Sequence, residues 1–236
     1  MVKSTSENAL QNKRIIEIRT VYHLKTRSGK TVGAKGRRRK PSQLPRGPRA
    51  SALFLVGFMG AGKTSVGQTL AQHLNWSFED LDSRIEQREQ RTVPEIFRDS
   101  GEPEFRRAEH AALQDVLEEL RAGAVKIVAL GGGAFVQENN AALLSASGVP
   151  TVFLDAPLEE LWQRCCQQTS QAGAERPLLT SIDQFRKLYE ARRGGYLRAS
   201  LKVQTGSRTL AEIAAEIVRT LGLKKIEIRA QEGEVE

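Results

Sequence analysis

Cysteine is almost missing from this chain of 236 residues: two occur, side by side, as Cys165 and Cys166. Neighbouring cysteines rarely bridge to each other, and no second pair exists to complete a zinc set. A disulfide framework and a structural zinc module are therefore excluded, and a reducing, cytoplasmic setting is expected. No run of about 18 apolar residues occurs, and no apolar core follows the early positive charges. The sequence thus offers neither a spanning helix nor a secretory leader, and no membrane partner is expected. Acidic residues are scarce at one end. Residues 1–50 carry 14 of the 36 Lys and Arg but 2 of the 28 Asp and Glu, so this arm is +12 and residues 51–236 are −4. Any attraction to polyanions belongs to the arm, yet Tyr22 is its one aromatic residue, which leaves it without a platform for stacking bases. Nucleic acid is not an expected partner, except at this basic arm.

Residues 1–50 read as a basic, flexible N-terminal extension, with Gly, Pro and clustered charge over 33–50. Residues 51–221 read as one domain and 222–236 as a charged C-terminal tail. RIIEIRTVYHL (14–24) and KKIEIRA (224–230) have enough β-branched residues to form a pair of strands. Within the domain, apolar runs predict strands at Ala52–Val56, Ser77–Asp80, Lys126–Leu130, Thr151–Asp155 and Leu201–Gln204. Helical patterns lie at 62–74, 81–90, 103–122, 138–146, 157–168, 181–193 and 209–221. Thr92-Val93-Pro94-Glu95 spells a helix start with a capping box. Such alternation predicts an α/β fold, a parallel sheet with helices on both faces, which places ligands at the carboxyl ends of its strands.

The residues at those ends carry chemistry. Gly57-Phe58-Met59-Gly60-Ala61-Gly62-Lys63-Thr64 matches G-x-x-x-x-G-K-S/T between a strand and a helix, the context in which the pattern means a phosphate-binding loop. Its N–H groups and the helix dipole attract an anion, Lys63 reaches the β- and γ-phosphates of a nucleotide, and the Thr64 hydroxyl ligates Mg²⁺. Asp80 and Asp82 stand two apart at the end of the second strand, on one face if extended. One carboxylate there suits a hydrated magnesium ion and the other a substrate hydroxyl. Arg106 and Glu109 are three apart on a helix, so the glutamate can hold the arginine as a clamp for a carboxylate. Gly131-Gly132-Gly133 follows a buried strand, and three ordered glycines cost enough backbone entropy that close approach to a ligand is the expected reason for them. Residues 168–180 are small and polar around Arg176 and read as a mobile lid that excludes water from the phosphates.

The motifs GFMGAGKT, DLD, FRRAE, GGG and RPLL together resemble, in order and spacing, those of the shikimate kinase family over about residues 51–221. The resemblance implies a P-loop NTPase fold of the nucleoside-monophosphate-kinase type, with a parallel five-stranded sheet and a mobile lid. It implies ATP as co-substrate, Mg²⁺, and phosphoryl transfer to the 3-hydroxyl of shikimate, in aromatic amino-acid biosynthesis, by a monomer. By the same resemblance Gly57, Gly60, Ala61, Gly62, Lys63, Thr64, Ser65 and Arg176 bind ATP, and Thr64 and Asp80 serve the metal. Asp82 contacts the ring hydroxyls and acts as base, with Lys63 and Arg176 also catalytic. Arg106 and a late arginine bind the carboxylate, and Gly131, Gly132 and Gly133 lie along the substrate. The family usually shows Arg-x-Pro-Leu-Tyr at the late arginine; here the segment is Arg192-Arg193-Gly194-Gly195-Tyr196. Spacing to the tyrosine selects Arg192, with Arg193 as rival, and the two glycines are expected to loosen the backbone that holds it. Two competing readings share these residues. One is a non-catalytic, ligand-sensing regulatory domain, the other a gluconate-type sugar-acid kinase.

Overall fold

Three apolar runs and two more polar segments form the five strands of this protein in a computed structural model, which describes residues 51–172 and 181–226. In chain order the elements are β1 (Ala52–Val56), α1 (Lys63–Leu74), β2 (Ser77–Asp80), α2 (Leu81–Glu89), α3 (Val93–Arg121), β3 (Lys126–Ala129), α4 (Glu138–Ser147), β4 (Thr151–Asp155), α5 (Leu158–Ala172), α6 (Ile182–Tyr196), β5 (Leu201–Gln204) and α7 (Leu210–Leu221). The strands make one sheet, in the order β2-β3-β1-β4-β5, with every neighbouring pair parallel. All five residues of β1 and all five of β4 are buried. Successive side chains of a strand point to opposite faces, so both faces of the sheet centre are covered.

The register decides where the chemistry gathers. Leu55 of β1 and Asp80 of β2 both lie level with Ala129 of β3. The loops that leave these three strands therefore start from one edge of the sheet: the glycine loop after β1, the Asp80–Asp82 turn, and Gly131–Gly133 after β3.

Helix boundaries differ from the sequence expectation in instructive places. The segment expected as a helix over 103–122 is the second limb of α3, which already begins at Val93. Thr92 and Glu95 form the expected capping box, with the Glu95 side chain accepting from the Thr92 N–H at 2.7 Å. Gly101, at φ 77°, interrupts the helical backbone, and Pro103 restarts it beyond the kink. A short 3₁₀ turn, Ala134–Val136, follows the glycine triplet. Helix α6 does not stop at Arg193 but continues through Gly194 and Gly195 to Tyr196, so the expected loosening is absent: the last turn is helical. Its stability comes from outside the helix. Gly195 lies directly on Val136, where an added methyl would sit 2.6 Å from Val136 Cγ1. The Tyr196 hydroxyl donates to the Gly132 carbonyl, and its ring stacks on Phe153 at 5.3 Å.

At the C-terminal end Leu223 is buried, Ile226 N–H donates to the Leu74 carbonyl at 2.9 Å, and Trp76 Nε1 donates to the Lys224 carbonyl. The expected lid at 168–180 starts too early, because α5 stays helical to Ala172; the rest of it, 173–180 with Arg176, lies outside the described residues, as do the strand expected at 14–24 and most of its partner at 224–230. Among the described residues no helix is long and apolar enough to cross a membrane.

Candidate active site

The loop between β1 and α1 uses its glycines for different reasons. Gly57, Gly60 and Gly62 all have left-handed φ, at 148°, 79° and 86°. A methyl on Gly57 would sit 2.8 Å from the Leu154 carbonyl oxygen and one on Gly60 2.6 Å from that of Leu161, so these two let the loop lie against β4 and α5. Gly62 faces open space and forms the N-cap of α1 without any capping side chain. The first amide donors of α1 therefore point, unpaired, at an opening where an anion can sit.

Lys63 Nζ donates to the carbonyls of Gly57 (3.0 Å) and Phe58 (3.1 Å). Burial pulls its pKa below the usual lysine value, against the opposing pull of Asp82 and Asp80. Thr64 Oγ1 donates to Asp80 Oδ2 at 3.1 Å, while Asp80 Oδ1 accepts the Asp82 N–H at 3.1 Å and so caps α2. This cap turns the Asp82 side chain inward. Its Oδ1 is buried with no hydrogen-bond partner, and burial, reinforced by Asp80, pushes its carboxyl up to about 6.

Opposite stand two arginines. Arg106 Nη1 donates to Glu109 at 2.9 Å, and Nη2 donates to Glu102 at 2.8 Å. Glu109 is fully buried, with Oε1 unpartnered, so the Arg106–Glu109 pair is no solvated ion pair of the kind worth little. Burial raises the pKa of Glu109, and the adjacent Arg106 opposes this. Arg192 projects into the same cavity, its guanidinium over the Phe58 ring at 6.0 Å. Arg193, one residue on, turns away to Tyr189 and Asp155. Helix phase separates the two arginines that sequence spacing left open.

The glycine triplet fits between these side chains. A methyl on Gly131 would lie 2.5 Å from Asp82 Oδ1, one on Gly133 2.7 Å from the Arg106 guanidinium, and one on Gly132 3.6 Å from Arg192. The close approach expected here is therefore first to three site side chains. A cavity of about 530 Å³ unites Lys63, Thr64, Asp82, Arg106, the triplet and Arg192, with Val93, Phe97 and Phe105 as its apolar wall.

A second cavity, of about 260 Å³, opens on the other flank of the loop and shares Gly60, Gly62 and Ser65 with the first. Ala61, Arg164, Gln167 and Arg208 line it. Sequence reasoning missed Arg164 and Arg208, which come from α5 and from the turn before α7 and belong to no local motif. Arg208 is fixed by Glu216 at 2.6 Å and Arg164 by Glu160 at 2.9 Å. The loop thus has a basic recess on one side and, on the other, a chamber that joins two arginines to a buried carboxylate.

The family model for shikimate kinase matches residues 59–222. The shikimate kinase of Cereibacter sphaeroides is 38% identical over 199 residues, 82% of this chain and 95% of that protein. The crystal structure of shikimate kinase from Aquifex aeolicus shares 34% identity at a TM-score of 0.62, covering 72% of this chain and 96% of that one. Shikimate kinase from Acinetobacter baumannii in complex with shikimate shares 32% identity at a TM-score of 0.64, over 72% of this chain and 92% of that one. With the loop, the acidic turn and the paired arginines assembled on this parallel sheet, the chain belongs to the shikimate kinase family.

Proposed function

We propose that this chain is a shikimate kinase, which transfers the γ-phosphoryl group of ATP to the 3-hydroxyl of shikimate and releases shikimate 3-phosphate and ADP. The observation that carries this reading is the shared cavity: two arginines and an unpartnered, buried Asp82 oxygen face the same space as Lys63 and Thr64.

Phosphoryl transfer asks little covalent work of the protein, so alignment and charge neutralisation dominate. The amides at the start of α1, with Ala61 and Ser65 beside them, hold the phosphates, and the recess at Arg164 and Arg208 takes the base. Arg106 and Arg192 hold the shikimate carboxylate and so set the ring with its 3-hydroxyl toward Asp82. Asp82 accepts the hydroxyl proton as that oxygen bonds to the γ-phosphorus, the bond to the bridging oxygen breaks, and the electron pair leaves on ADP. Lys63 leaves its two loop carbonyls to neutralise the transferring group. Arg176 is assigned to the same charge.

The Thr64 hydroxyl and the Asp80 carboxylate lie 3.1 Å apart at the mouth of the loop. Hard oxygen donors at a phosphate site fit a partly hydrated Mg²⁺: Thr64 and Asp80 would hold it, and it would supply positive charge to the phosphates. A gluconate-type kinase and a non-catalytic sensor are not favoured: neither calls for this whole set of acid, arginine pair and glycine triplet. A place in the cytoplasm, in aromatic amino-acid biosynthesis, follows from the same reading.

The test is ADP release with ATP and Mg²⁺ and either shikimate, gluconate or no acceptor, with the phosphorylated product identified by ³¹P NMR. Turnover with shikimate alone is expected. Bound ATP without ADP release, or equal turnover with gluconate, would overturn the assignment.

A further inference from the structure

Arg192 sits on the weakest turn of α6. Two glycines follow it, each costing a helix about 1 kcal/mol relative to alanine, so its direction has to be fixed from elsewhere. Part of the restraint is Tyr196 on Gly132, already described. A second restraint lies on the opposite side, in a charged cluster that no step of phosphoryl transfer uses.

Asp155 ends β4 and is 5% exposed. Its Oδ2 is 2.8 Å from Lys202 Nζ and 3.7 Å from Arg193, and its Oδ1 accepts from the Tyr189 hydroxyl at 3.2 Å. The same hydroxyl accepts from Arg193 Nε at 3.2 Å, so Tyr189 is held from two sides. Tyr189 stands three residues before Arg192 and four before Arg193, on one face of α6. Its ring meets Phe58 edge to face at 5.4 Å, and Arg192 lies over that same Phe58. Phe58 is buried within the phosphate loop, and its carbonyl accepts from Lys63.

We propose that Asp155 is a positioning residue for acceptor binding: through Tyr189 and Phe58 it sets the direction of Arg192, although it touches neither Arg192 nor the substrate cavity. A buried carboxylate with two cations and a hydroxyl is costly to disturb, so it fixes Tyr189, whose ring packs on the Phe58 that the half-buried Arg192 lies over. The cluster thus passes the rigidity of β4 and β5 to the arginine that reads the substrate carboxylate. The same aromatic ring links that arginine to the nucleotide loop.

The inference rests on the shikimate kinase reading, and the experiment separates the two. Wild-type turnover with shikimate, measured first, bears on the activity alone. Asp155→Asn and, in case that variant folds poorly, Tyr189→Phe are then compared with wild type. Loss of a hydrogen bond to a charged group predicts a rise of about tenfold in shikimate KM, with ATP KM unchanged. In an Arg192→Ala background the same substitutions should change shikimate KM by less than about twofold, since residues acting through one another are not additive. Without any acceptor, the Arg192 Nε–H resonance, which feels the Phe58 ring, should move in both variants. Equal increases in both KM values, full additivity with Arg192→Ala, or an unmoved Arg192 resonance would each overturn the proposal.

Discussion

The glycines after β1 and those after β3 occupy matching places, each at the end of a buried strand, yet they serve opposite ends. In the first loop all three have left-handed φ, and the one at the helix start faces open space, so backbone amides are left facing it. In the second none does, and each lies against Asp82, Arg192 or Arg106. The first cluster exposes backbone to a ligand; the second removes side chains so that other side chains can converge. Phosphate, the same in every nucleotide, is suited to a backbone cradle, while a particular hydroxy acid needs charged side chains held at particular angles.

This contrast can be broken most forcefully at Lys63. Lys63→Ala should lower turnover by about a thousandfold or more, the scale of a lost preorganised charge at a transferring group, while circular dichroism and Tm stay near wild type. An unfolded variant would mean that the loop is held by Lys63 rather than by its glycines. The second substitution probes the other cluster. Gly131→Ala places a methyl 2.5 Å from Asp82 Oδ1 and should cut kcat/KM for shikimate by about a hundredfold through misplacement, with ADP affinity by calorimetry unchanged. A parallel loss of ADP affinity would erase the distinction between the clusters.

A smaller effect should appear in the pH dependence. With its carboxyl at about 6, Asp82 as base predicts that kcat/KM for shikimate falls below pH 6 with unit slope, whereas ADP affinity does not follow that curve. The folded chain binds this proton more tightly than the unfolded chain, so the group's contribution to stability is full below about pH 4 and is lost as pH rises through 6. Accordingly Asp82→Asn should raise Tm of the metal-free protein at pH 8 and not at pH 4. The smallest change concerns a glycine that serves neither end. Gly194 is exposed, has no left-handed φ and has nothing within 4 Å of an added methyl. Gly194→Ala should raise Tm by about 2–4 °C with unchanged kinetics.

What was legible in the sequence follows physical range. The three central strands showed themselves because apolar runs report burial directly, and the glycine loop because its motif is contiguous. The long α3 was seen as two signals, a capping box at Thr92 and a periodic stretch after Pro103, because Gly101 breaks the periodicity that would join them. Spacing to the tyrosine selected Arg192, the arginine that lines the cavity, but Arg193 stayed a rival, since neighbouring helical residues point about 100° apart and the helix phase depends on packing such as that of Tyr189 and Tyr196. Arg164 and Arg208 were invisible for a related reason: each is an ordinary surface arginine until α5 and the turn before α7 meet beside the loop. The triplet after β3 was expected to lie close to a ligand, whereas the groups it approaches in the structure are the side chains of Asp82, Arg192 and Arg106. Its neighbours emerged only when α2, α3 and α6 were placed around it.

A crystal structure of the protein with ADP, Mg²⁺ and shikimate tests the central claim most directly. The account predicts phosphates on the amides that open α1, the shikimate carboxylate between Arg106 and Arg192, and its 3-hydroxyl within hydrogen-bond distance of Asp82. A carboxylate bound away from those arginines, or a ring whose hydroxyls do not meet Asp82, would contradict it.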